Sequence, residues 1–298
     1  MNKVMIKLIS ILSFGLILSG GACAQNLEVM TYNIKYANEN DGENSWSKRK
    51  DHLTDQIKFY EPDIFGVQEA LLVQLEHLKE NLPNYDYVGV GREDGKNKGE
   101  FSALFYDTNQ FKVLEEDTFW LSETPGKISV GWDAALPRIC TFALLENKTS
   151  KQKFWVFNTH FDHIGEKARE ESVNLILAKI GKLNTANLPV ILMGDFNLEP
   201  ETKAIQLLSK RMNDSKSISK NVVFGPEGTF NGYNFLEPVT RRIDYIFISK
   251  GNPEVLKYAV LSDSRDLKYP SDHLPVFVEL QFLTKNLTFK KNLTLNKT

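Results

Sequence analysis

Six segments of this 298-residue chain end or interrupt an apolar run with a side chain that a strand interior does not readily accept. Asn33 closes Thr31-Tyr32-Asn33-Ile34, and Gln68-Glu69 closes the run that starts at Asp63. His160 follows Phe157-Asn158-Thr159, with Asp162 and His163 directly after it, and Asp195 and Asn197 follow Val190-Ile191-Leu192-Met193-Gly194. Asp244 stands inside Arg241–Ile248, and Asp272-His273 stands in Tyr269–Val276. Taken singly, each has an ordinary explanation: Asp195 is a turn residue after glycine, Glu69 favours the positive end of a following helix, and Asn33 ends a strand. Six at corresponding places predict instead that strand ends meet at one edge, where acids, histidines and asparagines converge on one pocket. Glu69, Asp272 and the Asn33 amide are hard oxygen donors suited to Mg²⁺ or Mn²⁺, and no cysteine cluster or HExxH spacing favours zinc. A hard metal, a carboxylate to activate water, and amide and imidazolium groups to hold developing charge meet the demands of phosphate-ester hydrolysis.

The elements that must position these residues are legible as short runs. Ten runs of strand length, bounded by turn residues, lie at Leu27–Ile34, Ile64–Val67, Tyr85–Val90, Ser102–Tyr106, Phe111–Leu114, Ile139–Leu145, Phe154–Phe161, Val190–Met193, Ile243–Ile248 and Leu274–Phe282. Helical spacing marks Leu53, Ile57 and Tyr60 after Trp46, then Leu71, Leu75 and Leu78, then Val173, Ile176, Leu177, Ile180 and Leu183 after Gly165. Helices and strands alternate without the strict βαβ repeat of a doubly wound fold. The arrangement that accommodates them is α/β (α+β): two mixed sheets packed face to face with helices outside.

Composition narrows the field. With 42% hydrophobic, 25% charged and 11% aromatic residues the chain can build a large core. The formal charge is −2, but Lys3 and Lys7 and four lysines in residues 281–298 leave a body with 30 basic against 38 acidic residues. A protein coating duplex nucleic acid through its phosphates would carry a basic excess. Residues 1–24 combine Lys3 and Lys7, an apolar run Leu8–Leu18 and the small-residue site Ala22-Cys23-Ala24, the pattern of a signal peptide. Export to the periplasm or exterior is expected, with a lipoprotein anchored through Cys23 as the alternative; the run is too short for a stable membrane span. Cleavage after Ala24 leaves Cys140, in a strand-like run, as a small core hydrophobe. No linker splits residues 26–282, which read as one domain. Residues 283–298 read as a lysine-rich, solvated tail in which Lys285-Asn286-Leu287-Thr288 recurs at Lys291–Thr294.

The set Thr31-Tyr32-Asn33, Gln68-Glu69, Asn158-Thr159-His160, Gly194-Asp195-Phe196-Asn197, Ile243-Asp244-Tyr245 and Ser271-Asp272-His273 resembles the endonuclease/exonuclease/phosphatase (DNase I-like) superfamily, over roughly residues 27–282. The resemblance implies a four-layer αββα sandwich. It implies Glu69 as principal metal ligand with Asn33 beside it and Asp272 completing the site. Asp195 would orient or deprotonate the attacking water and Asn197 would hold the scissile phosphate. His273, fixed by Asp244, would stabilise the pentacovalent state, and His160 would be a second phosphate contact and proton donor. The loops around Gly131-Trp132-Asp133 and Thr159–His163 are similar to an exported bacterial branch, closer to deadenylase-like members than to abasic-site repair enzymes.

Because that superfamily acts on many phosphate esters, the substrate must be read from residues outside the shared set. Arg92, Lys98 and Arg138 are candidate anion contacts, and Trp132 or Trp120 a candidate stacking surface. A Mg²⁺- or Mn²⁺-dependent phosphoesterase is expected, a monomer acting on a small phosphorylated metabolite or nucleotide, through a phosphodiester or phosphomonoester bond. A secreted nuclease acting on single-stranded nucleic acid is the first alternative, and an inert binding module of the same fold the second. A two-carboxylate glycosidase would use Glu69 and Asp195 but leave the histidines and asparagines idle.

Overall fold

The computed structural model describes residues 26–283, so the segment expected to be a signal peptide, with Cys23, and nearly all of the lysine-rich tail lie outside the described residues. The chain runs β1 (Asn26–Asn33), α1 (Trp46–Tyr60), β2 (Ile64–Ala70), α2 (Leu72–Asn81), β3 (Tyr85–Val88), β4 (Phe101–Asp107), β5 (Phe111–Trp120), β6 (Ile139–Asn147) and β7 (Lys153–His160). It continues α3 (Glu166–Leu183), β8 (Val190–Asp195), α4 (Lys203–Arg211), β9 (Met212–Asp214), α5 (Ser215–Ile218), β10 (Asp244–Ser249), β11 (Glu254–Val260) and β12 (Val276–Gln281). Two six-stranded sheets form, in the orders β11-β12-β1-β2-β4-β3 and β5-β6-β7-β8-β10-β9. Each has one parallel pair at its centre, β1 with β2 and β7 with β8, and antiparallel neighbours outside it.

Burial on both faces explains why these strands read as continuous apolar runs. Successive residues alternate between layers. Val29, Ile64, Val156, Ile191 and Ile246 pack between the sheets, whereas Met30, Tyr32 and Phe65 pack under Leu53, Ile57, Leu75 and Leu78 of α1 and α2. Phe157, Leu192 and Phe247 pack under Val173, Ile176, Ile205 and Leu208 of α3 and α4. The layers are therefore helices, sheet, sheet, helices, as expected from the sequence.

Four elements were not anticipated. β11 carries Glu254 and Lys257 on a sheet edge and so has a weak apolar period, whereas α4 does set Ala204, Ile205 and Leu208 on one buried face, but over only nine residues. β9 and α5 are three and four residues long. β5 runs on to Trp120 rather than stopping at Leu114, because exposed Glu115-Glu116-Asp117 pair with Ala143 and its neighbours in β6 on an open edge. Cys140 is a buried free thiol, as its strand-like context implied.

Candidate active site

The parallel pairs place four of the singled-out residues on one edge. Asn33 lies opposite Gln68 in the β1–β2 register, and His160 lies opposite Asp195 in the β7–β8 register. Asp244 is paired with Asp195 across β8 and β10, and His273 lies three residues before β12, which runs antiparallel to β1. Asn158 joins the two sheets: its amide donates to the Val67 and Ala103 carbonyls at 3.0 and 2.8 Å and accepts from Gln68 at 2.7 Å. Gly66 makes room for it, since a Cβ there would lie 2.7 Å from Asn158 Cγ. Lys35, Glu69 and Asn197 hold left-handed φ values of 52°, 60° and 50°, which turn these side chains off the strand ends at a local conformational cost.

Two linked groups make up the polar edge. In the first, the Asn33 amide nitrogen bridges Glu69 Oε1 (3.1 Å) and Asp195 Oδ2 (2.9 Å), while its oxygen accepts from Lys35 N. Asn33 thus orders two carboxylates through donated hydrogen bonds. Burial raises the Glu69 pKa, but Lys35 Nζ at 3.7 Å, with His273 and the Asn33 amide, outweighs it, and Glu69 is held below the usual carboxylate range. Asp272 is raised, chiefly by burial. His273 Nδ1 lies 2.9 Å from Asp244 Oδ2, which also accepts from Thr229 Oγ1 at 2.5 Å. Burial lowers the imidazole pKa, yet Asp244 overrides it and lifts His273 to about 10. Asp195, buried and facing Asp244, is raised to about 7. The arrangement holds a protonated imidazole beside a carboxylate able to accept a proton near neutrality.

The second group surrounds His160. Arg138 donates Nε to Asp162 Oδ1 (3.2 Å) and lies with Nη1 3.2 Å from His160 Nδ1 and Nη2 2.9 Å from His163 Nδ1. A guanidinium only donates, so His163 Nδ1 accepts, whereas the His160 ring has a donor on either side, Arg138 at Nδ1 and the Asn197 amide nitrogen at Nε2, and Nε2 lies 3.5 Å from Asp195 Oδ2. Burial, followed by Arg138 and Arg92, drives the His160 pKa well below its ordinary value. Such a shift disfavours the charged imidazolium at His160. Asn197 donates to the Phe161 carbonyl at 3.1 Å, and its amide nitrogen lies 3.1 Å from His160 Nε2.

These groups open on a cavity of about 490 Å³. Glu69, Arg138, His160, Asp195, Asn197, Asp272 and His273 line it directly, and Asn33 and Asp244 stand behind them. Arg92 lies in an adjoining crevice, buried against Glu100 with Nη1 2.8 Å from its Oε2. Three candidates are not brought to the cavity. Lys98 is exposed in the loop where its own N–H bonds Asp94, and half-buried Trp132 sits in the loop where its N–H bonds Glu123. Trp120 is buried and donates to the Arg92 carbonyl. The sequence reading missed Lys35, Tyr36, Glu100, Leu136, Phe230 and Arg241, all on the cavity wall. Lys35 lies two residues from Asn33 and Glu100 ends the Lys98-Gly99-Glu100 turn, but nothing local marks Phe230.

Asp195, Asp244 and His273 bring one ligand-type atom each within 4.8 Å of one another, so this buried group could bind a metal ion. Glu69 and Asp272 offer a second oxygen-rich place on the same cavity wall. No helix among the described residues is long and apolar enough to cross a membrane.

Residues 30–273 match the Endonuclease/Exonuclease/phosphatase family over most of the chain. The chain belongs to this family. Among solved structures, the mannosyl-6-phosphatase of Bacteroides thetaiotaomicron is 42% identical with a TM-score of 0.82, over 86% of this chain and 100% of its own. An uncharacterized protein of Acanthamoeba polyphaga mimivirus is 31% identical over 253 residues, 78% of this chain and 91% of its own length. The CCR4-Not complex 3'-5'-exoribonuclease subunit of Mycosarcoma maydis is 22% identical over 307 residues, and the match spans 46% of its length. Family membership accounts for the αββα layers, and members of the endonuclease/exonuclease/phosphatase family are hydrolases of phosphate esters.

Proposed function

We propose that this chain is a divalent-metal-dependent phosphoesterase that acts outside the cytoplasm on a small phosphorylated substrate, with a phosphorylated sugar the preferred class. The observation that carries this reading is the cavity itself. Its volume of about 490 Å³ lies in the range of small-molecule sites, and its wall comes from segments of both sheets. The 42% identical mannosyl-6-phosphatase supports a sugar phosphate over a nucleotide.

The donor set fits a hard cation, because Glu69, kept ionised, and Asp272 supply carboxylate oxygens and the cavity wall holds no thiol. Mg²⁺ or Mn²⁺ would be held by Glu69 and Asp272, with Asn33 orienting Glu69, and would neutralise phosphate oxygens and polarise the ester. Asp195 takes a proton from the attacking water, since its raised pKa makes it a competent base near pH 7. Protonated His273, oriented by Asp244, donates Nε2–H to a phosphate oxygen as charge builds on it. His160 and the Asn197 amide supply further polar contacts to the phosphate.

Hexose phosphates, nucleotides, dinucleotides and single-stranded RNA and DNA assayed with Mg²⁺ or Mn²⁺, and again with chelator, test the proposal. Metal-dependent turnover of the small substrates, lost in Asp195→Ala, is the expected result. Faster cleavage of single strands than of any small phosphate would replace it with the nuclease reading, and activity unaffected by chelator would remove the metal. The export part rests on residues 1–24. Cell fractionation tests it, and globomycin-sensitive processing would identify anchoring through Cys23.

A further inference from the structure

One wall of the cavity plays no part in the chemistry above. Arg92 and Glu100 form a two-point ion pair, with Nη1–Oε2 at 2.8 Å and Nη2–Oε1 at 2.9 Å, while Arg138 is held by Asp162 and by the two imidazoles. Two guanidiniums thus face two carboxylates, and His160 adds no charge, so this wall is strongly polar with no net attraction for an anion. Arg138 spends three of its five N–H groups on these partners and keeps two. Glu100 retains acceptor capacity at the cavity, with Oε2 3.9 Å from His160 Nδ1. His163, half exposed, accepts at Nδ1 and therefore presents an Nε2–H donor. Leu136 supplies an apolar surface beside them.

We propose that Glu100, Arg138 and His163 form a hydroxyl-reading subsite that takes the uncharged polyol part of the substrate and turns away a leaving group bearing a second phosphate. This rests on the phosphoesterase reading above. A hydroxyl both donates and accepts, so neighbouring hydroxyls satisfy a carboxylate and a guanidinium placed side by side. A phosphate only accepts, so it can bond Arg138 but offers nothing to the Glu100 acceptor, and it brings its charge to a wall whose own charges already cancel. The scissile phosphate then sits on the Glu69–Asp195–His273 side, and the sugar ring lies toward Leu136. Across the cavity, Phe230 lies under Arg241 at 5.4 Å, the wall on which a nucleobase would stack.

The test compares kcat/KM for a hexose 6-phosphate, a hexose 1,6-bisphosphate and p-nitrophenyl phosphate in the wild type, Glu100→Gln and His163→Ala. The wild type should prefer the monophosphate to the bisphosphate by tenfold or more. Each variant should lower the ratio of hexose 6-phosphate to p-nitrophenyl phosphate about tenfold, the scale of one hydrogen bond to a charged group, mainly through KM, and Glu100→Gln should also narrow the bisphosphate penalty. His163→Ala, at a half-exposed position, guards against misfolding of Glu100→Gln. A merely structural role would lower both substrates alike and leave the ratio unchanged, which overturns the proposal, as does a bisphosphate hydrolysed as well as the monophosphate. Absence of all phosphomonoesterase activity would instead defeat the functional reading. Calorimetry of the same two sugar phosphates on the wild-type protein then decides the subsite, tighter monophosphate binding supporting it and equal or tighter bisphosphate binding overturning it.

Discussion

Asp244 Oδ2 and His273 Nδ1 lie 2.9 Å apart although their backbones lead into different sheets, Asp244 opening β10 and His273 preceding β12. The pair exists only once the sheets have docked, and it sets the charge of the cavity floor.

Replacing Asp244 with Asn removes the charge that holds His273 protonated. Steady-state kinetics of Asp244→Asn should show kcat reduced by about 10²-fold or more, the scale of a lost acid–base partner, with KM changed far less. A kcat within twofold of the wild type would separate His273 from the reaction.

Arg138 Nη1 faces His160 Nδ1, the Asn197 amide nitrogen faces Nε2, and burial beside Arg138 and Arg92 holds the ring's pKa well below its ordinary value. Long-range ¹H–¹⁵N spectra should show a neutral ring with no titration from pH 5 to 8. A ring that titrates near pH 6.5 would return His160 to the role of a proton donor.

Asp162 couples the Arg138 loop to the start of α3, accepting from Ala135, Ile164 and Gly165 N–H groups at 3.1, 3.1 and 2.8 Å. Burial raises its pKa, but these donors and Arg138 outweigh it and hold it at about 2. A folded pKa below the unfolded value, about 3.9, stabilises the native state above pH 4, and that contribution is lost as pH falls toward 2. Asp162→Asn should cost about 1–3 kcal/mol at pH 7 and show a shallower loss of stability in acid than the wild type. Denaturant melts at pH 7 and pH 3 measure both, and parallel curves would contradict the assignment.

Gly66 is required by the Asn158 amide rather than by its own backbone angles. Gly66→Ala should destabilise the fold by about 1–3 kcal/mol through overpacking between the sheets, and Asn158→Ala should relieve part of that penalty in the double variant. Strict additivity of the two changes would show that the side chains do not meet.

The apolar runs over Leu27–Ile34, Phe154–Phe161 and Val190–Met193 already specified buried strands, because burial on both faces leaves a continuous hydrophobic signature, and the polar residues ending them marked the edge where chemistry occurs. Family motifs such as Gly194-Asp195-Phe196-Asn197 carried that reading to phosphate-ester hydrolysis. β11 was not legible, since an edge strand with Glu254 and Lys257 lacks a strong period, whereas α4 carries its Ala204, Ile205 and Leu208 face at helical spacing and escaped notice only by its shortness. Lys98 and Trp132 had suitable side chains for a substrate wall, but loop paths keep them away from the cavity, while Glu100, at the end of the same turn as Lys98, reaches it, as does Phe230 from a segment that carries no local mark. The sequence by itself determined which residue types end the strands. Only the tertiary structure decided their ionisation, because the neutral His160, the protonated His273 and the raised Asp195 pKa arise from Arg138 and Asp244 brought close by sheet pairing and docking, and Coulomb energies depend on those distances and not on sequence separation.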